Sequence, residues 1–184
     1  LIRVAIVGVC NIASMLVQSV MYFRSRGSLD GIMTSNIGGY GVGDIESISL
    51  VEKLGRIYMK PYLSIPTLSR RSMMQNGSRE SIQGPVLDGV APHMREIFEP
   101  IDYGVTFNNV DTLRTSGAEI VVNLLPVGSE EATKFYARAS LKAEAAFINT
   151  IPVFIASDPS GTWQKLYREA NIPLLSDDLT SSLP

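Results

Sequence analysis

The chain has little of what staples a fold or charges its surface. It carries one cysteine, Cys10, which excludes an internal disulfide and a zinc site built from several cysteines. A lone thiol suits a reducing compartment, and a cytoplasmic location is expected. His93 is the one histidine. It has no Ser or Cys partner legible around it, and it reads as a helix-surface residue. The 16 Lys and Arg against 18 Asp and Glu leave a net charge of −2. The chain has no basic run, and Arg70-Arg71 stands isolated. Neither nucleic acid nor an anionic membrane surface is therefore an expected partner. The longest apolar stretch, residues 145–156, is too short to span a bilayer and is interrupted by Asn149 and Pro152. The first residues run directly into a glycine turn, which is not the pattern of a signal peptide. No nucleophile elbow, phosphate-binding lysine loop or metal-ligand cluster is present in the sequence, and no metal is expected.

What is present is a globular composition. Of the 184 residues, 45% are hydrophobic and 18% are charged, and that length makes one domain the expectation, residues 1–184. The most informative stretch is 120–159. It opens with the apolar run Ile120-Val121-Val122-Asn123-Leu124-Leu125, short and rich in branched residues, as in a buried strand. Pro126 and Gly128 stop that run. Ser129 is placed to cap a helix, with Glu130 and Glu131 at its positive end. Ala132, Phe135, Tyr136, Ala139 and Ala143 then recur at helical spacing. A second apolar run, 145–148, follows. Strand, helix and strand in so few residues form a βαβ unit, which requires a parallel sheet and a right-handed crossover. The expected architecture is an α/β fold, a doubly wound parallel sheet with helices on both faces.

Elsewhere the pattern is coarser. Ile2–Val7 reads as a first strand, Gly8 as a turn, and Ala13, Leu16, Val17, Val20 and Met21 as a helical stripe reaching about Arg26. A glycine-rich loop or lid follows over 27–43, and a second strand over 45–51. Residues 64–83 show no period and read as a mobile surface excursion. Met94, Ile97 and Phe98 suggest a short helix, and 110–116 another. Asp158-Pro159 reads as a helix start with proline in its first position. Trp163, Leu166, Tyr167 and Ala170 mark the helix after Ser160, and 173–175 a last strand. Tyr136, Trp163 and Tyr167 are read as packing residues.

In such sheets ligands sit at the carboxyl ends of the strands. The first candidate is Gly8-Val9-Cys10-Asn11-Ile12-Ala13, which lies between a strand and a helix, as a dinucleotide fingerprint does. Gly8 and Ala13 fit the G-x-G-x-x-G/A pattern. Cys10 stands where a glycine lets the backbone approach the pyrophosphate. The loop is either a cofactor cradle weakened by that thiol or a strand-to-helix turn with no ligand. Glu52 follows the second strand, where an acid takes ribose hydroxyls, or it is a solvated charge. Pro126, Val127 and Gly128 can wall a nicotinamide ring or form an ordinary turn. Asn149 can position a hydroxyl at the next strand end. Asp88 either shapes the adenine side of the site or closes a turn. Asp177 and Asp178 form an acidic pair at the last strand end that can orient a hydroxyl or hold a cation.

The stretch L-P-V-G-S-E-E-A-x-K-F-Y-A, followed by F-I-N-x-I-P-V-F-I-A-S-D-P, resembles the inositol-1-phosphate synthases of the shorter bacterial and archaeal type. Gly84-Pro85-Val86-Leu87-Asp88-Gly89 is similar to that family's G-P-T-L-D-G. Residues 4–8 with Ala13, Ser14, Leu16, Val17 and Gln18 resemble its nucleotide loop and first helix. The resemblance implies an NAD-binding part, N-terminal in the family, of a longer chain. It implies conversion of glucose 6-phosphate to myo-inositol phosphate by internal oxidation, aldol cyclisation and reduction, in a cytoplasmic homotetramer serving inositol and phospholipid biosynthesis. It implies cofactor contacts at Gly8, Val9, Cys10, Asn11, Ile12, Glu52, Asp88, Pro126, Val127, Gly128, Asn149 and Asp177, and catalysis at Asp178. The acidic pair resembles the start of D-D-x-K-S, with Thr180 in the lysine position. The family's further lysines fall beyond Pro184. The other expectation is a nucleotide-binding or assembly module without turnover, which Cys10 and Thr180 favour.

Overall fold

A computed structural model describes residues 2–8, 12, 13, 15–17, 19, 20, 45–52, 55–59, 82–85, 87, 88, 98–101, 109–175, 177 and 178. In chain order the elements are β1 (Ile2–Val7), β2 (Ile45–Glu52), β3 (Gly55–Met59), β4 (Ile82–Gln83), β5 (Phe98–Ile101), α1 (Asn109–Ser116), β6 (Ile120–Asn123), α2 (Glu130–Lys142), β7 (Ala146–Asn149), α3 (Thr162–Glu169) and β8 (Leu174–Leu175). The described residues from Ile12 to Val20 are helical as well.

Six strands form one sheet in the order β4-β2-β1-β6-β7-β8, and every pairing in it is parallel. Numbered by their sequence within this sheet, the strands run 3-2-1-4-5-6, the order of a doubly wound dinucleotide fold. The expected fold class is present. β1 lies at the centre, and Ala5, Ile6 and Val7 are fully buried. Alternate residues of β1 face opposite layers. Ala5 and Val7 pack with Leu113, Val121, Tyr136, Phe147, Trp163 and Tyr167. Ile6 packs on the other face with Ala13, Val17 and Leu124. The helix after β1 and the helices flanking β6 and β7 therefore cover opposite faces.

Hydrogen bonds tie the layers together. The Tyr167 hydroxyl donates to the Ala137 carbonyl at 2.8 Å and lies 2.7 Å from Ser140 Oγ, joining α3 to α2. Burial pushes the Tyr167 phenol up to about 12, offset in part by Ser140. At the amino edge, Arg3 Nε donates to the Gly117 carbonyl at 2.7 Å, and its guanidinium lies 3.5 Å from Glu119.

Four expectations are corrected. Ile82–Gln83, expected within a surface excursion, is a strand paired with Val51 and Glu52; the rest of 64–81 lies outside the described residues. Phe98, expected in a helix, begins β5, which pairs antiparallel with β3; Met94 and Ile97 lie outside the described residues. The helix expected after Ser160 is present from Thr162 behind Gly161, and Asp158-Pro159 is not its first turn. Asp158 instead closes the turn before it, accepting from Ser160 N at 3.1 Å and Thr162 N at 3.2 Å. Ser129 stands at the N-cap of α2 but makes no side-chain cap bond, and its buried Oγ has no hydrogen-bond partner.

Candidate functional site

The strand register brings the carboxyl ends to one level. Val7 is opposite Val51 on one side and Asn123 on the other, and Asn123 is opposite Asn149. Gly8 therefore leaves the sheet beside Glu52. The chain leaves β1 and β2 in one direction and β6 and β7 in the other, so the switch point of the sheet lies between β1 and β6.

Gly8 is fixed there by close approach. Its φ is +98°, and a Cβ would lie 2.6 Å from the Leu124 carbonyl oxygen. Leu124 N in turn donates to the Val7 carbonyl at 2.7 Å. Only glycine fits this crossing of two backbones. Ile12 is exposed and Ala13 fully buried at the start of the following helix. Val9, Cys10 and Asn11 lie outside the described residues.

A buried polar chain crosses the ends of β6, β7 and β8. Asn123 Nδ2 donates to Thr133 Oγ1 at 3.1 Å and to Asn149 Oδ1 at 2.8 Å. Asn149 Nδ2 donates to the Ile151 and Val153 carbonyls at 3.0 and 2.7 Å. It also reaches Asp177 Oδ1 at 3.2 Å. Asp177 further accepts from Ile155 N at 3.0 Å and Ala156 N at 2.8 Å, and from both the N–H and the hydroxyl of Ser157. Burial alone would raise the Asp177 carboxyl, but the bonds from Ser157, Ala156 and Ile155 outweigh it and hold the group below the usual carboxylate range. Asn149 and Asp177 thus direct these polar atoms into the loop after β7. That loop presents Phe154, 66% exposed, as the turn after β6 presents Val127, 62% exposed.

Asp88 sits at the entry to α2. Its carboxylate accepts from Glu131 N at 2.6 Å and Ala132 N at 3.0 Å, taking two of the free N–H groups of that helix end. The cap expected from Ser129 is supplied from 43 residues away. Gly128, with φ +93°, turns the chain into α2, and Pro126, Val127 and Gly128 are all exposed. Asp178 is half-buried beside Asp177.

The structure therefore brings Gly8, Glu52, Gly128, Asn149, Asp177 and Asp178 to the carboxyl edge, with Asp88 against α2. Thr133, Thr150 and Ser157 belong to this edge and were not read from sequence. Thr150 Oγ1 donates to the Asn123 carbonyl at 2.5 Å. The signal for Thr133 was its place one turn after Ser129, whose carbonyl accepts its hydroxyl at 2.7 Å. Among the described residues, no group of three or more His, Cys, Asp or Glu is placed to hold a metal ion.

Sheet order, switch point and glycine turn define a Rossmann-like dinucleotide fold. No protein-family model matches the chain. Sequence comparison then gives the family. Inositol-3-phosphate synthase of Corynebacterium glutamicum is 39% identical over 196 residues, covering 99% of this chain and 52% of that protein. The enzyme of the same name from Mycolicibacterium smegmatis is 35% identical over 190 residues, again covering 99% and 52%. This chain belongs with the inositol-3-phosphate synthases and spans about half the length of the curated relatives it matches. Among solved structures, that of Ari2 superposes with TM-score 0.64 at 26% identity, covering all of this chain and 56% of the other. A myo-inositol-1-phosphate synthase-related protein from Thermotoga maritima shares the fold, with TM-score 0.61 at 20% identity over 97% of this chain and 55% of the other.

Proposed function

We propose that this chain is the NAD-binding part of an inositol-3-phosphate synthase, with the dinucleotide lying along the carboxyl edge across Gly8. The observation that carries the reading is the conjunction at the switch point. Gly8 turns against the backbone of Leu124 at the end of the central strand, and Glu52 ends the neighbouring strand at the same level. These residues fit the group. A glycine turn entering a helix exposes backbone N–H groups to a pyrophosphate, and an acid on the next strand accepts from ribose hydroxyls. Val127 and Gly128 give an exposed apolar wall on the other side of the switch point.

The chemistry NAD supplies in such a site is reversible hydride transfer. The protein's own residues do the placing. Asn123, Asn149 and Asp177 hold the loops after β6 and β7 in register. Asp178 is the residue we assign to orienting a substrate hydroxyl. Asp88 holds the N-terminus of α2, so a substrate phosphate is bound elsewhere. Glucose 6-phosphate as substrate, isomerase activity, a homotetramer and a cytoplasmic setting are part of the same proposal for the full-length enzyme.

Titration calorimetry with NAD and NADP tests the reading. NAD should bind, and NADP should bind more weakly, because Glu52 repels a 2′-phosphate. A folded sample that fails to bind NAD, or prefers NADP, overturns it.

A further inference from the structure

The path from β4 to Asp88 crosses the sheet. Gln83 ends β4 opposite Glu52, and β2 and β1 separate β4 from β6. Three inter-strand steps of about 4.8 Å make about 14 Å. Asp88 nevertheless reaches the N-terminus of α2, at the carboxyl end of β6, with bonds of 2.6 and 3.0 Å. The chain from Gln83 to Asp88 extends to about 17 Å at most, and the Asp88 side chain and its bonds add to that, so the span is within reach. Gly84, Pro85, Leu87 and Asp88 are in neither helix nor strand. Gly84 is buried, Pro85 half-buried and Leu87 exposed. Both anchor points lie at the carboxyl edge, on either side of the ends of β2 and β1, where Glu52 and Gly8 stand.

We infer that Asp88 is a positioning residue for the dinucleotide and makes no contact with it. Its carboxylate fastens the connection from β4 onto α2, and the fastened connection forms a wall over the adenosine side of the crevice. The same two bonds set the entry angle of α2, and with it the turn at Val127 and Gly128. Asp88 thus couples the adenosine and nicotinamide ends of one site. The inference rests on the NAD reading and adds a residue that acts through others.

Stopped-flow fluorescence with NADH as the probe tests it in the chain as it stands. Asp88→Ala should raise the NADH dissociation rate about tenfold, the loss of charge-assisted bonds to two amides. Asp88→Asn keeps one acceptor and should raise it about threefold; it carries the test if the alanine variant does not fold. Hydrogen exchange at the Glu131 and Ala132 amides should accelerate in both variants. Arg3→Ala is the control for general loosening, because it cuts contacts at the amino edge and should leave the NADH rates unchanged. The inference is overturned if the two amides exchange faster while the dissociation rate stays within twofold of wild type. It is equally overturned if Arg3→Ala raises that rate as much as Asp88→Ala. Failure of the wild-type protein to bind NADH would overturn the NAD reading, and this inference with it.

Discussion

Replacing Asp177 with alanine should loosen the loop after β7 and cost the fold about 3 kcal/mol. The acceptor serves Asn149 Nδ2, Ile155 N, Ala156 N, Ser157 N and Ser157 Oγ. Bonds to a charged group contribute roughly 1.5–3 kcal/mol each where water is excluded, and a simple sum would be far too large because neighbouring bonds are not additive. Ser157 is exposed, so its two donors turn to water at little cost. The donors of Asn149, Ile155 and Ala156 are part-buried and lose roughly 1 kcal/mol each. For a chain of this size, about 3 kcal/mol lowers the melting temperature by roughly 6–12 °C. Urea melts should show a lower midpoint at unchanged slope. Asp177→Asn should recover little, since its amide presents a donor to backbone donors. The pH dependence follows from the depressed folded pKa. The carboxylate's contribution is fully present above its unfolded pKa of about 4. It is lost as pH falls through the lower folded value, so the gap between wild type and Asp177→Asn should narrow below about pH 4. An alanine variant within about 0.5 kcal/mol of wild type would refute the assignment of Asp177 as an anchor.

Three further outcomes are expected. Gly8→Ala should destabilise the protein by at least about 2 kcal/mol without any nucleotide present, because the added Cβ meets the Leu124 backbone at 2.6 Å; denaturation at wild-type urea concentrations would contradict this. Tyr167→Phe removes the bonds to Ala137 and Ser140 and should cost about 1–2 kcal/mol, read from the same melts. Cys10→Gly should tighten NAD binding several-fold, on the order of 1 kcal/mol by calorimetry, if the loop carries a pyrophosphate.

The parts of the fold legible in sequence were those written in contiguous residues. The run from Ile120 ends at a Pro-Gly turn, and the stripe from Ala132 repeats at helical spacing; both became elements almost at the expected limits. Ile82–Gln83 was not legible because two residues carry no period, and β2 alone makes them a strand. Phe98 fitted a helical stripe with Met94 and Ile97, yet its backbone pairs with β3, some forty residues earlier. For the candidate residues, position at the strand ends was legible and hydrogen-bond partners were not. Strand ends pointed to Asn149 and Asp177 as groups able to orient a hydroxyl, and Asp88 read as shaping the adenine side of the site or closing a turn. Asn149 and Asp177 bond to the loop beyond β7, and Asp88 to α2. The partners of Asp177 in that loop and of Asp88 lie 20 to 44 residues away, a distance at which sequence gives no spacing rule. Ser129 shows the same limit: its type and position suit a cap, but Asp88 already holds the amides it would take.

The most direct test is an amide chemical-shift titration of the isotopically labelled chain with NAD. The largest shifts should fall on Gly8, Ala13, Glu52, Val127 and Gly128 at the carboxyl edge, with none at Arg3, Gly117 or Glu119 at the opposite edge. Shifts centred on the amino edge, or none at saturating NAD, would contradict a dinucleotide site at the switch point of this sheet.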